Sequence, residues 1–205
     1  MAFIDSDGRK RIEDAIRAAE SKTGGELVTV IAQRCDTYLF LPILYASVLA
    51  MTIPPVLFAL RLETRSLPLF LIQIAVFATL SLLFLWTPVT MALVPRAVKL
   101  QRAARLAREQ FYARGLHETA ERHGVLLFVA VAERYVEIIA DRGIHARVPE
   151  GAWDGIVAEF TTRVRAGRIA EGFVAAVAGC GELLAEHFPR QPDDKDELTN
   201  RLIEI

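Results

Sequence analysis

Apolar residues run along this chain in three patterns. The first is helical. Ile12, Ala15, Ile16 and Ala19 recur at i, i+3, i+4 and i+7 behind an Asp5-Ser6-Asp7 cluster that can cap a helix, so residues 7–22 are predicted to form an amphipathic helix ended by Gly24-Gly25. The same spacing returns at Leu100, Ala103, Ala104, Ala107 and Phe111, at Trp153, Ile156, Val157, Phe160 and Val164, and at Ile169, Phe173, Val177, Cys180 and Leu184. The second pattern is short and continuous. Leu27–Ala32, Val125–Ala132 and Tyr135–Ala140 read as strands, the first two buried on both faces and the last two paired antiparallel around Glu133-Arg134.

The third pattern has no polar face. Thr37–Leu60 and Ser66–Pro95 contain no charged residue. A helix needs ~20 apolar residues to cross ~30 Å of hydrocarbon, so both runs are predicted to span a membrane, over about 38–60 and 67–87. Tyr38, Tyr45 and Trp86 lie near the span ends, where amphipathic rings favour headgroups. The short link Arg61–Arg65 makes the spans a hairpin with both flanks on one side of the membrane. Lys22, Arg34, Arg96, Lys99, Arg102, Arg105, Arg108 and Arg114 near the flanks outnumber Arg61 and Arg65 in the link, which predicts cytoplasmic flanks in an inner (plasma) membrane, multi-pass protein.

The resulting order is helix, strand, membrane hairpin, helix, strand, strand, helix, helix. The long crossover allows the first two strands to lie parallel, with helices on both faces of a small mixed sheet. The predicted organisation is therefore an α/β domain built from 1–36 plus 96–189, an inserted transmembrane hairpin at 37–95, and a polar solvated tail at 190–205. No internal repeat is apparent.

Composition adds limits. The chain has 205 residues, a net charge of −1 and 53% hydrophobic residues, and neither a strongly basic composition nor disorder fits those figures. No nucleic-acid partner is expected. Cys35 and Cys180 are too few for a disulfide framework or a four-ligand zinc site, and the charged N-terminal segment does not read as a signal peptide. Charge is nevertheless uneven: Arg96, Lys99, Arg102, Arg105 and Arg108 recur every third residue as a basic band. The band reads either as a topology signal on a solvated helix or as a contact for anionic lipid headgroups or a partner.

Phosphate-binding loops, dinucleotide fingerprints, nucleophile elbows and paired metal-binding histidines are absent from the sequence. The densest polar cluster, Asp141–Glu150 followed by Asp154, comes after the third strand. Asp141, Glu150 and Asp154 can supply oxygen ligands to Ca²⁺ or Mg²⁺ and orient water for attack on a phosphate. Equally, Asp141 can hold a turn while Glu150 and Asp154 favour a helix N-terminus, with Arg142, His145 and Arg147 as charge partners.

Thr23-Gly24-Gly25-Glu26-Leu27-Val28-Thr29-Val30, His123–Val129, Arg134–Ile138 with Gly143-Ile144, Pro149-Glu150, and Ala166-Gly167-Arg168 before Glu171-Gly172 together resemble the TPM domain family. That family occurs in thylakoid lumen proteins, bacterial membrane proteins and an animal receptor-associated protein. The resemblance covers roughly 7–188, with the hairpin as an insertion. It implies an α/β/α sandwich and either of two roles: an accessory factor in assembly, repair or quality control of membrane proteins, or an acid phosphatase that can bind Ca²⁺. The chain departs from the family's acidic turn: Asp141 stands at its first Gly position, His145 at its Glu and Glu150 at its Asp. Many relatives also work outside the cytoplasm, opposite to the side that the charge bias gives. The partners expected are the lipid bilayer and another membrane protein or a second copy.

Overall fold

A computed structural model describes residues 4–61, 65–119, 122–149, 151–192, 194 and 198–205. The chain divides into two compact units, Met1–Cys35 with Ala103–Ile205, and Asp36–Arg102.

The first unit is built on a four-stranded mixed sheet. Its elements are α1 (Ser6–Glu20), β1 (Glu26–Ala32), the part of a longer helix from Ala103 onward, β2 (Gly124–Ala130), β3 (Tyr135–Ala140), a short helix (Arg142–His145), two long helices (Asp154–Arg165 and Ile169–His187), and a final strand (Leu202–Glu204). In chain order the helices of the whole molecule are α1, α2 (Phe40–Met51), α3 (Ile53–Ala59), α4 (Ser66–Phe84), α5 (Thr87–Leu93), α6 (Arg96–Ala113), α7 (Arg142–His145), α8 (Asp154–Arg165) and α9 (Ile169–His187), and the final strand is β4. The sheet order is β3-β2-β1-β4. β1 runs parallel to β2 from Glu26↔Gly124 to Ala32↔Ala130, and β2 runs antiparallel to β3, as the crossover and the tight turn predict. Arg134 makes that turn at φ +52°.

Strand periodicity explains why β1 and β2 are apolar throughout. Leu27, Ile31, Val125, Leu127 and Val129 pack on one side with Ile12 and Ile16 of α1, Phe160 of α8, and Phe173, Val177 and Leu184 of α9. Val28, Val30, Ala32, Leu126, Phe128 and Ala130 pack on the other with Ala103, Ala107 and Phe111 of α6. Every residue of both strands is buried, because helices cover both faces.

The tail is corrected. Leu202–Glu204, within the segment expected to be solvated, adds to β1 in parallel through Thr29↔Leu202, Val30↔Ile203 and Ile31↔Glu204. Leu202 is buried on the α1/α9 side, and Ile203 packs beside the α6 side. A three-residue strand is too short to carry a readable alternation, but the exposed edge of β1 selects it. α7 is a second departure, since the sequence reads that stretch as a turn; Asp141 caps it by accepting a 2.7 Å hydrogen bond from Arg142 N.

In the second unit two stretches are long and apolar enough to cross a membrane, Phe40–Ala59 and Ser66–Phe84. The first is broken between α2 and α3, where Thr52 Oγ1 donates to Leu49 O at 2.7 Å and Pro54 and Pro55 open α3. Proline fits a first helical turn, whose N–H groups have no intrahelical partner anyway. The second stretch ends two residues short of Trp86, and Thr90 Oγ1 donates to Phe84 O at 2.6 Å, satisfying a carbonyl left open there. α2 and α4 pack together, yet α4 has no buried residue. Tyr38, Leu41 and Val94 form a small core with Tyr45, Met91 and Val98 beside them.

Candidate functional site

Three strand ends meet at one end of the sheet, where β1 and β2 begin and β3 finishes. Glu26 N donates to His123 O at 3.1 Å and Asp141 N donates to Gly124 O at 2.9 Å, so backbone bonds tie the three together. Gly124 is required there: a Cβ at that position would lie 2.4 Å from the Leu116 carbonyl oxygen. Five polar side chains are buried around this junction, Glu20, Thr23, Glu26, His123 and Asp141.

Four of them serve the backbone or an aromatic neighbour. Glu20 Oε1 accepts from Leu27 N at 3.0 Å, and Glu26 Oε2 accepts from Leu198 N at 3.3 Å. Thr23 Oγ1 donates to Phe188 O at 2.6 Å and accepts from Gly25 N at 3.1 Å, joining the Thr23-Gly24-Gly25-Glu26 turn to the end of α9. The His123 ring lies 4.1 Å from that of Phe188, whose face is also approached by the Arg147 guanidinium at 5.0 Å. Thr23, Glu26 and His123 lie in the segments that carry the family resemblance, and that was the signal marking them; Glu20 had no such signal, and polarity alone did not place the four together.

Asp141 has both roles open to it in part. Its Oδ1 caps α7, while its Oδ2 is buried and has no hydrogen-bond partner among the described residues. Asp154 is exposed in the first turn of α8, where a carboxylate suits the helix dipole. Glu150 lies outside the described residues. Arg142, His145 and Arg147 are exposed. Among the described residues no group of three or more His, Cys, Asp or Glu is placed to hold a metal ion.

The opposite end of the sheet holds a smaller polar group. Parallel α/β sheets place ligands at the carboxyl ends of their strands. Because β3 is antiparallel, Asp141 sits instead beside the amino ends of β1 and β2. At the carboxyl ends, buried Glu133 accepts a 2.9 Å bond from Cys35 N through Oε1, and the Tyr135 hydroxyl donates to Glu137 Oε2 at 2.8 Å. Burial, and then the Glu137 carboxylate, push the Tyr135 phenol well above its ordinary range, with Arg108 opposing.

The basic band divides by partner. Lys99 Nζ donates to Met91 O at 2.9 Å, Arg102 pairs with Asp36 at 3.3 Å, and Arg105 pairs with Glu109 at 2.8 Å. Arg96 and Arg108 are exposed and have no ion-pair partner among the described residues.

Residues 87–183 match the family model described as the TPM domain. That match takes in α5 to most of α9 and is narrower than the 7–188 of the sequence resemblance, because it omits α1 and β1. No curated protein matches the chain. Among solved structures, the BA42 protein from the psychrophilic bacterium Bizionia argentinensis is similar in fold at 20% identity, with a TM-score of 0.62 over 100% of this chain and 97% of that one. The resemblance carried by the strand and turn motifs after the hairpin thus coincides with a match to the TPM domain model over residues 87–183, just under half of the chain.

Proposed function

We propose that the chain is an integral inner-membrane protein whose TPM domain acts as an interaction or accessory module at the membrane surface, in assembly, repair or quality control of other membrane proteins. In this reading 1–36 and 96–189 make one α/β/α sandwich, residues 37–95 are an inserted transmembrane hairpin, and both flanks are cytoplasmic. The observation that carries it is α4, nineteen residues long and apolar on every side with no residue buried. A helix of that kind in water would be a liability, and lipid is the solvent that suits it. The Lys/Arg excess on the flanks supports the orientation, and exposed Arg96 and Arg108, with Arg105, give the band charge to offer to anionic headgroups.

Two measurements test this. Carbonate washing is expected to leave the full chain in the membrane, and a cysteine placed at position 205 should react only from the cytoplasmic side; extraction by carbonate, or labelling from the periplasm, overturns the corresponding part. In nanodiscs, α6 is expected to show slower amide exchange with anionic than with zwitterionic lipid, and Arg96→Glu with Arg105→Glu and Arg108→Glu should abolish the difference. Equal exchange in both lipids defeats surface docking.

A second reading is kept by one observation, the buried and unpartnered Oδ2 of Asp141. It makes the domain a divalent-metal-assisted acid phosphatase in which Asp141, Glu150 and Asp154 would hold Ca²⁺ or Mg²⁺, the ion polarising a phosphate. Metal-dependent hydrolysis of a phosphomonoester, lost in Asp141→Asn, is its expected signature. No turnover with either ion removes it.

A further inference from the structure

Among the described residues, the edge of β1 that faces away from β2 is covered by β4 and Ile205. β4 pairs with Thr29, Val30 and Ile31, and the ladder extends one step further through Ile205 N to Ile31 O at 3.0 Å and Gln33 N to Ile205 O at 2.9 Å. Residues 26–28 of the seven-residue strand have no β4 partner, and Leu27 N is instead satisfied by the Glu20 carboxylate. Between Pro189 and Leu202 the described residues include no helix or strand.

What holds β4 beyond its backbone is two apolar side chains, Leu202 on one face and partly buried Ile203 on the other, and one ion pair. Leu202 enters the α1/α9 core, and Arg9 of α1 pairs with Glu204 while also donating to Leu202 O at 3.3 Å. The seat fits imperfectly. Thr29, the residue opposite Leu202, is fully buried, and its hydroxyl has no hydrogen-bond partner among the described residues. A buried hydroxyl without a partner is a standing cost of this arrangement, and cross-strand Thr–Thr or Thr–Ser pairs are favourable in sheets.

We infer that the β1 edge is a strand-accepting interaction site, closed in cis by β4. It takes an extended partner segment that runs parallel to β1 and carries, two residues after the one facing Thr29, an acid read by Arg9. The sheet supplies affinity through backbone bonds that any sequence can make, as in β-strand addition generally. Specificity comes from the pocket around Leu202, from Arg9, and from the Thr29 hydroxyl, which favours a hydroxyl-bearing residue at the Leu202 position. A short edge strand with few side-chain anchors belongs to the low-stability end of a fold, which makes exchange possible without unfolding the core. The inference is independent of the membrane reading, since every residue in it belongs to the α/β unit.

The test uses the full chain in detergent and a labelled peptide with the sequence of residues 198–205. Leu202→Asp places a carboxylate in the apolar seat and is expected to release β4, so this variant should bind the peptide at least tenfold more tightly than the unaltered protein. Adding Arg9→Glu should weaken binding at least fivefold, and a peptide carrying Glu204→Arg should recover it. A peptide carrying Leu202→Thr should lose less than twofold on this protein but more than fivefold once Thr29→Val is added. Equal binding of a scrambled peptide, or no binding by a folded Leu202→Asp chain, overturns the site. So does a dimer formed by the unaltered chain and lost in Leu202→Asp, which would make a second copy the occupant. Should Leu202→Asp fail to fold, Glu204→Arg leaves the core untouched. It is expected to speed amide exchange at Ile205 and Gln33 at least tenfold while β2 is unchanged, and unchanged exchange at Ile205 overturns the proposal.

Discussion

β2 and α4 are written in nearly the same alphabet and meet opposite fates. All seven residues of β2 are buried, whereas none of the nineteen in α4 is. β2 alternates its side chains to two faces, and the chain supplies a helical layer for each. α4 spreads its side chains around a full circle and meets α2, and to a lesser extent α5, without burying any of them. Leu82 is 72% exposed and Phe70 57%. Hydrophobicity therefore reports a demand for cover, and only the surrounding elements tell whether the chain or another medium meets it.

That contrast can be broken by substitution. Phe173 is fully buried and meets the Phe160 ring edge-on at 5.2 Å. Phe173→Ala is expected to cost about 3–5 kcal/mol, whereas Leu82→Ala in α4 should stay within about 0.5 kcal/mol. Urea titration followed through Trp153, with Trp86→Phe as the background, reads the α/β unit alone; a similar loss from both changes would erase the difference between the regions. A charge sharpens it from the other side. Leu71→Lys is expected to cost about 2.5–3.5 kcal/mol of membrane insertion, seen as a reduced carbonate-resistant fraction, with the Trp153 transition unmoved.

A smaller effect is expected at Gly124, where adding one methyl group forces β2 against the Leu116 carbonyl. Gly124→Ala should lower stability of the α/β unit by about 1–3 kcal/mol, and an unchanged urea midpoint would contradict that close approach. Cys180 gives the mildest change. Burial raises its thiol from an ordinary 9.0 to about 12, so the folded chain holds that proton through a range in which the unfolded chain has lost it. Stability present below pH 9 therefore falls as pH rises toward 12, by about 1.4 kcal/mol per unit at most. Cys180→Ala should flatten the dependence between pH 9 and 10.5. Half-exposed Cys35 should react with maleimide in the native protein, while Cys180 waits for unfolding.

Sequence pattern revealed the elements whose signal is long. α1, α6, α8 and α9 lie where the 3.6-residue period puts them, and β1, β2 and β3 where the continuous apolar runs do. β4 escaped because Leu-Ile-Glu has no periodicity of its own and is selected by an edge formed far away in sequence. The break at Thr52 was marked by Pro54 and Pro55, but an apolar run tolerates or ends at proline with equal ease. At the candidate site, Asp141 was visible as a polar residue after a strand. Its placement beside the amino ends of β1 and β2 depends on the antiparallel sense of β3, and the burial of Glu20, Glu26 and His123 depends on the same three-strand junction.

β1 takes its neighbours from far along the chain. β2 begins about 90 residues after β1 ends, and β4 comes at positions 202–204. At the ribosome's pace of about 5–20 residues per second, β1 emerges roughly 5–20 s before β2. During that interval a strand that ends up wholly buried has only α1 to lean on while the two apolar helices of the second unit are being made. The α/β unit therefore cannot finish folding during synthesis until those helices have left the tunnel, so their emergence precedes assembly of the sheet. A chain stalled before Gly124 would display β1 as an open aggregation-prone edge, and the order of translation becomes part of how this protein reaches its native state.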